Sequence, residues 1–75
     1  MANKRTTKIK NNLPLLRFAN QRMTQQQLAD KLGVSRNTIN SIENGKYLPS
    51  LELALKIAHY FNTSVESVFF KEEQD

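Results

Sequence analysis

From Asn12 onward, apolar positions recur at three- and four-residue spacings, and no stretch shows the two-residue alternation of a strand. A first helix over residues 13–21 stacks Leu13, Leu16 and Asn20 on one side, with Leu15 and Ala19 beside them. Pro14 suits its first turn, where the missing N–H costs nothing. Thr24-Gln-Gln-Gln27 carries the hydroxyl and the amide of a capping box, and opens a second helix that runs to Leu32 and buries Leu28, Ala29 and Leu32. Gly33 suits the left-handed position just past a helix end. Ser35 caps a third helix over residues 36–43 with an inward stripe of Ile39 and Ile42, and Asn44-Gly45 ends it in turn chemistry. Pro49-Ser50 starts a fourth helix over residues 51–61, with Leu51, Ala54, Leu55, Ala58 and Phe61 inward and Leu53 and Ile57 widening that face. Thr63 or Ser64 caps a last short helix, turning Val65, Val68 and Phe69 inward. The expectation is an all-α, compact bundle of five helices over residues 12–70. Residues 1–11 read as a flexible basic arm and residues 71–75 as a solvated acidic tail.

The second and third helices are separated only by Gly33 and Val34, with Ser35 as cap. Helices joined so tightly cross steeply, and the backbones approach closely at the crossing. A residue one turn before the joint must then be small, as Ala29 is, and the joint itself needs the backbone freedom of Gly33. Val34 fills the gap, and Ile39 and Ile42 pin the third helix to the core. The order of Ala29, Gly33, Ile39 and Ile42, with a cap at each helix start, is the signature of a helix-turn-helix. A tight corner in a bundle would explain these residues without any ligand.

It would not explain the outer face of the third helix, which holds Arg36, Asn37, Asn40, Ser41 and Asn44, with Thr38 on a flank. A merely solvated helix favours Glu, Lys and Ala, and Asn, Ser or Thr costs roughly half a kcal/mol relative to Ala at each position. Short hydrogen-bonding groups are what base edges require: Arg pairs with guanine, Asn with adenine, and Ser or Thr with a thymine methyl or a phosphate.

Charge points the same way. The net charge is +4, distributed as +4 over residues 1–10, +3 over residues 11–48 and −3 over residues 49–75. A polyanion would therefore dock on the first two thirds. There is no cysteine, which excludes disulfides and thiolate metal sites, and the single histidine, His59, makes no metal site alone. Glycine-rich phosphate loops and Ser/His/Asp sets are absent, so nothing suggests an enzyme, a cofactor or a small-molecule ligand. The basic N-terminus lacks the apolar core of a signal peptide, and no apolar run approaches a membrane span, so a cytoplasmic location is expected.

The stretch TQQQLADKLGVSRNTINSIENGKYLPSLELALKIAHYF resembles the DNA-binding domain of phage Cro/repressor-like regulators, the xenobiotic-response-element type. The resemblance covers residues 12–70 and is most specific over residues 24–50. It implies a lambda-repressor-like five-helix fold and a transcriptional regulator, with repression the expected mode, that binds double-stranded operator DNA as a homodimer. Arg36, Asn37, Thr38, Asn40 and Ser41 fall where the family reads bases. Thr24, Gln25, Ser35, Asn44 and Lys46 fall where it holds phosphates. The family pairs Glu43 with an arginine of the first helix, and Arg17 is the candidate here. The link Asn20-Gln-Arg-Met23 departs from the pattern, being one residue longer and lacking glycine, so Phe18 competes for that space. Arg22 in this link either reaches a phosphate or is simply solvated.

Dimerisation is expected through Phe70, with Val65 and Phe69 beside it, and His59 and Tyr60 are further candidates. The basic arm either tracks the DNA backbone or is a disordered leader. A protein-interaction module, such as an antitoxin or a mobile-element protein, is the alternative to a DNA regulator.

Overall fold

A computed structural model describes residues 8–72. The chain order is β1 (Ile9–Asn11), α1 (Leu13–Ala19), α2 (Gln25–Leu32), α3 (Arg36–Glu43), α4 (Leu51–Tyr60), α5 (Val65–Val68) and β2 (Phe69–Lys71). The five expected helices are present. Each of the last four begins at a hydroxyl cap. Thr24 and Gln27 close a complete capping box, while Ser35, Ser50 and Ser64 accept from the backbone N–H three residues on. Of the two caps open for the last helix, the fold uses Ser64.

The structure adds a two-stranded antiparallel sheet that periodicity did not predict. Ile9 pairs with Lys71, Lys10 with Phe70 and Asn11 with Phe69. Ile9–Asn11 therefore forms part of the fold rather than a flexible arm, and Lys71 belongs to β2 rather than to a tail. Strands of three residues are too short to display alternation, and the pairing joins two segments far apart in the described chain. Residues 1–7 and 73–75, the rest of the expected arm and tail, lie outside the described residues.

One cluster forms the core: Leu13 of α1, Leu28, Ala29 and Leu32 of α2, Ile39 and Ile42 of α3, Ile57 and Ala58 of α4, and Val68 of α5. The expected inward face of α4 needs correction. Ala54, Ile57 and Ala58 are buried, but Leu51 and Leu55 are 72% and 52% exposed. Leu15 of α1 also faces solvent. The 3.6-residue period allows a wide apolar face, and only the packing partners decide how much of it is covered.

Asn11 joins the sheet to the helices. Its Nδ2 donates to the carbonyl of Ile42 at 3.1 Å and more weakly to that of Glu43, at the C-terminal end of α3. Its Oδ1 accepts from the N–H of Leu13 at 3.0 Å, supplying at the start of α1 an acceptor that the Asn12 side chain does not supply. Asn11→Ala removes all three bonds and is expected to cost about 1–3 kcal/mol, measured by urea denaturation. A cost below ~0.5 kcal/mol would mean that water replaces Asn11 without loss.

Candidate nucleic-acid interface

The corner between α2 and α3 is built as its residue types require. Gly33 adopts φ 75°, and its N–H and that of Val34 both return to the Ala29 carbonyl. A left-handed residue at this point lets the chain leave α2 and enter α3 within three residues, and only glycine adopts it without a Cβ penalty. Ala29 is fully buried, Val34 packs against the core as a partly buried residue, and Ile39 and Ile42 fix the inner side of α3.

The opposite side of α3 presents the predicted polar set. Arg36 and Asn37 are exposed, while Thr38, Asn40 and Ser41 are half-buried. Ser35 Oγ and Thr38 Oγ1 are 3.0 Å apart, and Ser35 Oγ also accepts from the Thr38 N–H, so both hydroxyls serve the helix start. Thr24 Oγ1 is likewise engaged by the Gln27 N–H. Asn44 and Lys46 lie exposed beyond the C-terminal end of α3. Lys8 and Lys10 of the β1 segment line a groove shared with Asn44 and Gly45, a proximity not legible from spacing along the chain.

Beneath this face runs a side-chain network. Arg17 of α1 meets Glu43 of α3 through two parallel bonds, Nε to Oε2 at 2.7 Å and Nη2 to Oε1 at 2.9 Å. Its Nη1 donates to the Met23 carbonyl at 2.8 Å. The side chains are only 17% and 6% exposed, so the pair is largely withdrawn from water. Gln25 Nε2 donates to Glu43 Oε1 at 2.9 Å and to Asn40 Oδ1 at 3.2 Å. The pairing of Glu43 with Arg17 therefore forms despite the long, glycine-free link. That link closes because Gln21 and Arg22 both take left-handed backbone angles, φ 58° and 55°, at a cost of about 1–2 kcal/mol per residue. The Arg22 guanidinium lies 5.4 Å from the centre of the Phe18 ring, a cation–π contact that holds the turn. Phe18 is thus turned outward against Arg22 and leaves the space at Glu43 to Arg17.

This fold and corner match known regulators. The helix-turn-helix family HTH_3 matches residues 17–68. The chain belongs to the Cro/C1-type helix-turn-helix family. It is 51% identical, over 89% of its length and all of the relative's, to an HTH-type transcriptional regulator of Methanocaldococcus jannaschii, MJ0272. It is 38% identical to the CTXphi phage transcriptional repressor RstR of Vibrio cholerae, over 69% of this chain and 50% of that protein. A structure of a putative DNA-binding protein from Bacteroides fragilis superposes with a TM-score of 0.68 at 28% identity, covering 81% of this chain and 97% of that one. The protein is accordingly a DNA-binding helix-turn-helix transcriptional regulator and not an enzyme. No helix among the described residues of this helix-turn-helix regulator is long and apolar enough to cross a membrane.

Removing one partner from a buried ion pair strands the other charge. Arg17→Ala or Glu43→Ala is expected to cost about 3–5 kcal/mol in chemical denaturation. The double change Arg17→Met with Glu43→Leu, which strands no charge, should cost less than either single change. Equal costs for single and double variants would show that the pair contributes as packing alone.

Proposed function

We propose that the regulator represses transcription by binding a specific double-stranded operator, with α3 in the major groove. The observation that carries this reading is the polar side of α3. It offers Arg36, Asn37, Asn40 and Ser41 opposite the buried Ile39 and Ile42, on a helix whose rotation Glu43 fixes. Arg36 and Asn37, at the N-terminal end of α3, are long enough and free enough to reach base edges. Asn40 and Ser41 lie one turn further along the same side, and Thr38 flanks them. Asn44 and Lys46 serve as phosphate contacts past the C-terminal end of α3. At the start of α2, the phosphate contact is assigned to the main-chain N–H groups next to the Thr24 cap, because both Gln25 amide hydrogens are directed at Asn40 and Glu43. Ser35 holds the start of α3 in the equivalent way. Repression is the mode suggested by the similarity to the phage repressor.

Selection of bound sequences from random DNA tests this directly. Arg36→Ala should cost about 1–3 kcal/mol and relax one base position, whereas Lys46→Ala should weaken all sequences alike and lower the salt slope by about one. Uniform weakening by Arg36→Ala would remove its base-reading role. A chain that enriches no sequence, and instead captures one protein partner, would favour an interaction module.

A homodimer would space two copies of α3 one DNA turn apart, about 34 Å. Val65 and Phe69 pack partly against the core, and Phe70 is 39% exposed on β2. The larger apolar area is that of Leu51 and Leu55, one turn apart on α4 and exposed, with Leu55 at the edge of a groove lined also by His59, Tyr60 and Val65. A two-fold interface needs a self-complementary face, and protruding leucines next to a groove give one face both parts of such a contact. An antiparallel pairing of α4 with its copy also brings Glu52 of one chain toward Lys56 of the other. A second copy is therefore the occupant assigned to this face, with Val65 central and Phe69 and Phe70 at the margin. Leu55→Glu is expected to give a folded monomer by light scattering, and Phe70→Ser to remain dimeric. The reverse outcome would return the contact to the β2 end.

A further inference from the structure

Asparagine is the most ambiguous reader of a base edge, because its amide can present either a donor or an acceptor by a half-turn about its last bond. In this chain Asn40 is denied that choice. The Gln25 amide faces the Glu43 carboxylate at 2.9 Å. The Glu43 oxygens are held by two Arg17 N–H groups and can only accept, so the Gln25 atom facing them must be its NH2 group. That same nitrogen lies 3.2 Å from the Asn40 side chain. The Asn40 atom facing a donor must be its carbonyl oxygen. Its Nδ2, on the other side of the planar amide, has no hydrogen bond among the described residues.

We infer that Asn40 is locked as a donor by the chain Arg17, Glu43, Gln25 and Asn40, and that it distinguishes keto from amino bases. In the major groove, guanine O6 and N7 and thymine O4 accept, whereas cytosine presents only the N4 amino group and adenine presents its N6 amino group beside N7. An outward NH2 is matched by guanine O6 and N7 or thymine O4, reaches adenine only at N7 against the repulsion of the adjacent N6 amino group, and meets only amino hydrogens on cytosine. A freely rotating asparagine would instead pair bidentately with adenine, as the residue type alone suggests. Gln25 is thus a positioning residue: it sets the polarity of Asn40 without facing the bases. This inference rests on the proposed reading of α3 as the base-contacting helix.

The test compares operator preferences of the full chain and three variants by selection from random DNA, with thermal melts recorded for each. Asn40→Ala identifies the base position that depends on Asn40. At that position the wild-type chain should favour guanine or thymine over cytosine by on the order of tenfold, with adenine, which offers one acceptor beside a donor, in between. Asn40→Asp keeps an acceptor toward Gln25 but turns an oxygen outward, and should move the preference to the amino bases. Gln25→Leu frees Asn40 to rotate, and the keto preference should fall to within about twofold, as adenine gains the bidentate pair through N6 and N7. A merely structural Gln25 would lower affinity for every sequence and leave the preference intact. A wild-type preference for adenine at that position, or an unchanged preference in Gln25→Leu, overturns the inference while leaving α3 as the recognition helix. No base position responding to Asn40→Ala also overturns it. Absence of any sequence preference in the wild-type chain removes the proposed function itself.

Discussion

The Glu43 carboxylate is the constraint on which the rest of this domain depends. It ends α3, yet it receives two bonds from Arg17 of α1 and one from Gln25 of α2, so three helices converge on two oxygen atoms. A carboxylate at a helix C-terminus is opposed by the helix dipole, which favours cations there. The bidentate guanidinium reverses that sign, and a largely water-free setting makes the geometry stringent. The buried atoms of the network are all satisfied: no buried side-chain nitrogen or oxygen among the described residues lacks a partner. Partly satisfied, the same groups would destabilise the domain more than an apolar contact would.

This arrangement suits a short chain. The core is a single small cluster, and helices of four to ten residues are marginal by themselves. Hydroxyl caps define where four of the helices begin, and the β1–β2 pair ties the two ends of the described chain together. Asn11 carries that tie to the last carbonyls of α3, next to Glu43. The C-terminal end of α3 is therefore fixed from β1, α1 and α2 at once. The proposed role of α3 requires this, since a rotation of even one side chain's width would exchange the residues on its outer side.

The proposed function divides α3 into an inner side that holds and an outer side that would read bases. The inner side is apolar and the outer side is short, polar and nearly uncharged. Gln25, a natural phosphate-binding candidate by its place in α2, spends both amide hydrogens on the network between the two sides. A residue of α2 thereby fixes the amide of a residue on the outer side of α3.

Much of this was legible without coordinates. Caps, the glycine joint and the Ile39–Ile42 stripe are local signals, with partners within one or two turns, so the five helices and the corner could be read from spacing alone. The outer face of α3 was legible for the complementary reason: poor helix formers gathered on one side mark a demand other than folding. Tertiary structure decided what depends on partners far along the chain. It chose Arg17 over Phe18 for Glu43, through a glycine-free turn whose left-handed angles no composition rule announces. It paired Ile9–Asn11 with Phe69–Lys71, two segments too short for periodicity to mark. It left Leu51 and Leu55 uncovered, because a helix states which residues are apolar but not how wide its neighbours are. And it set which way the Asn40 amide points, since an amide has no preferred polarity until something fixed lies opposite it.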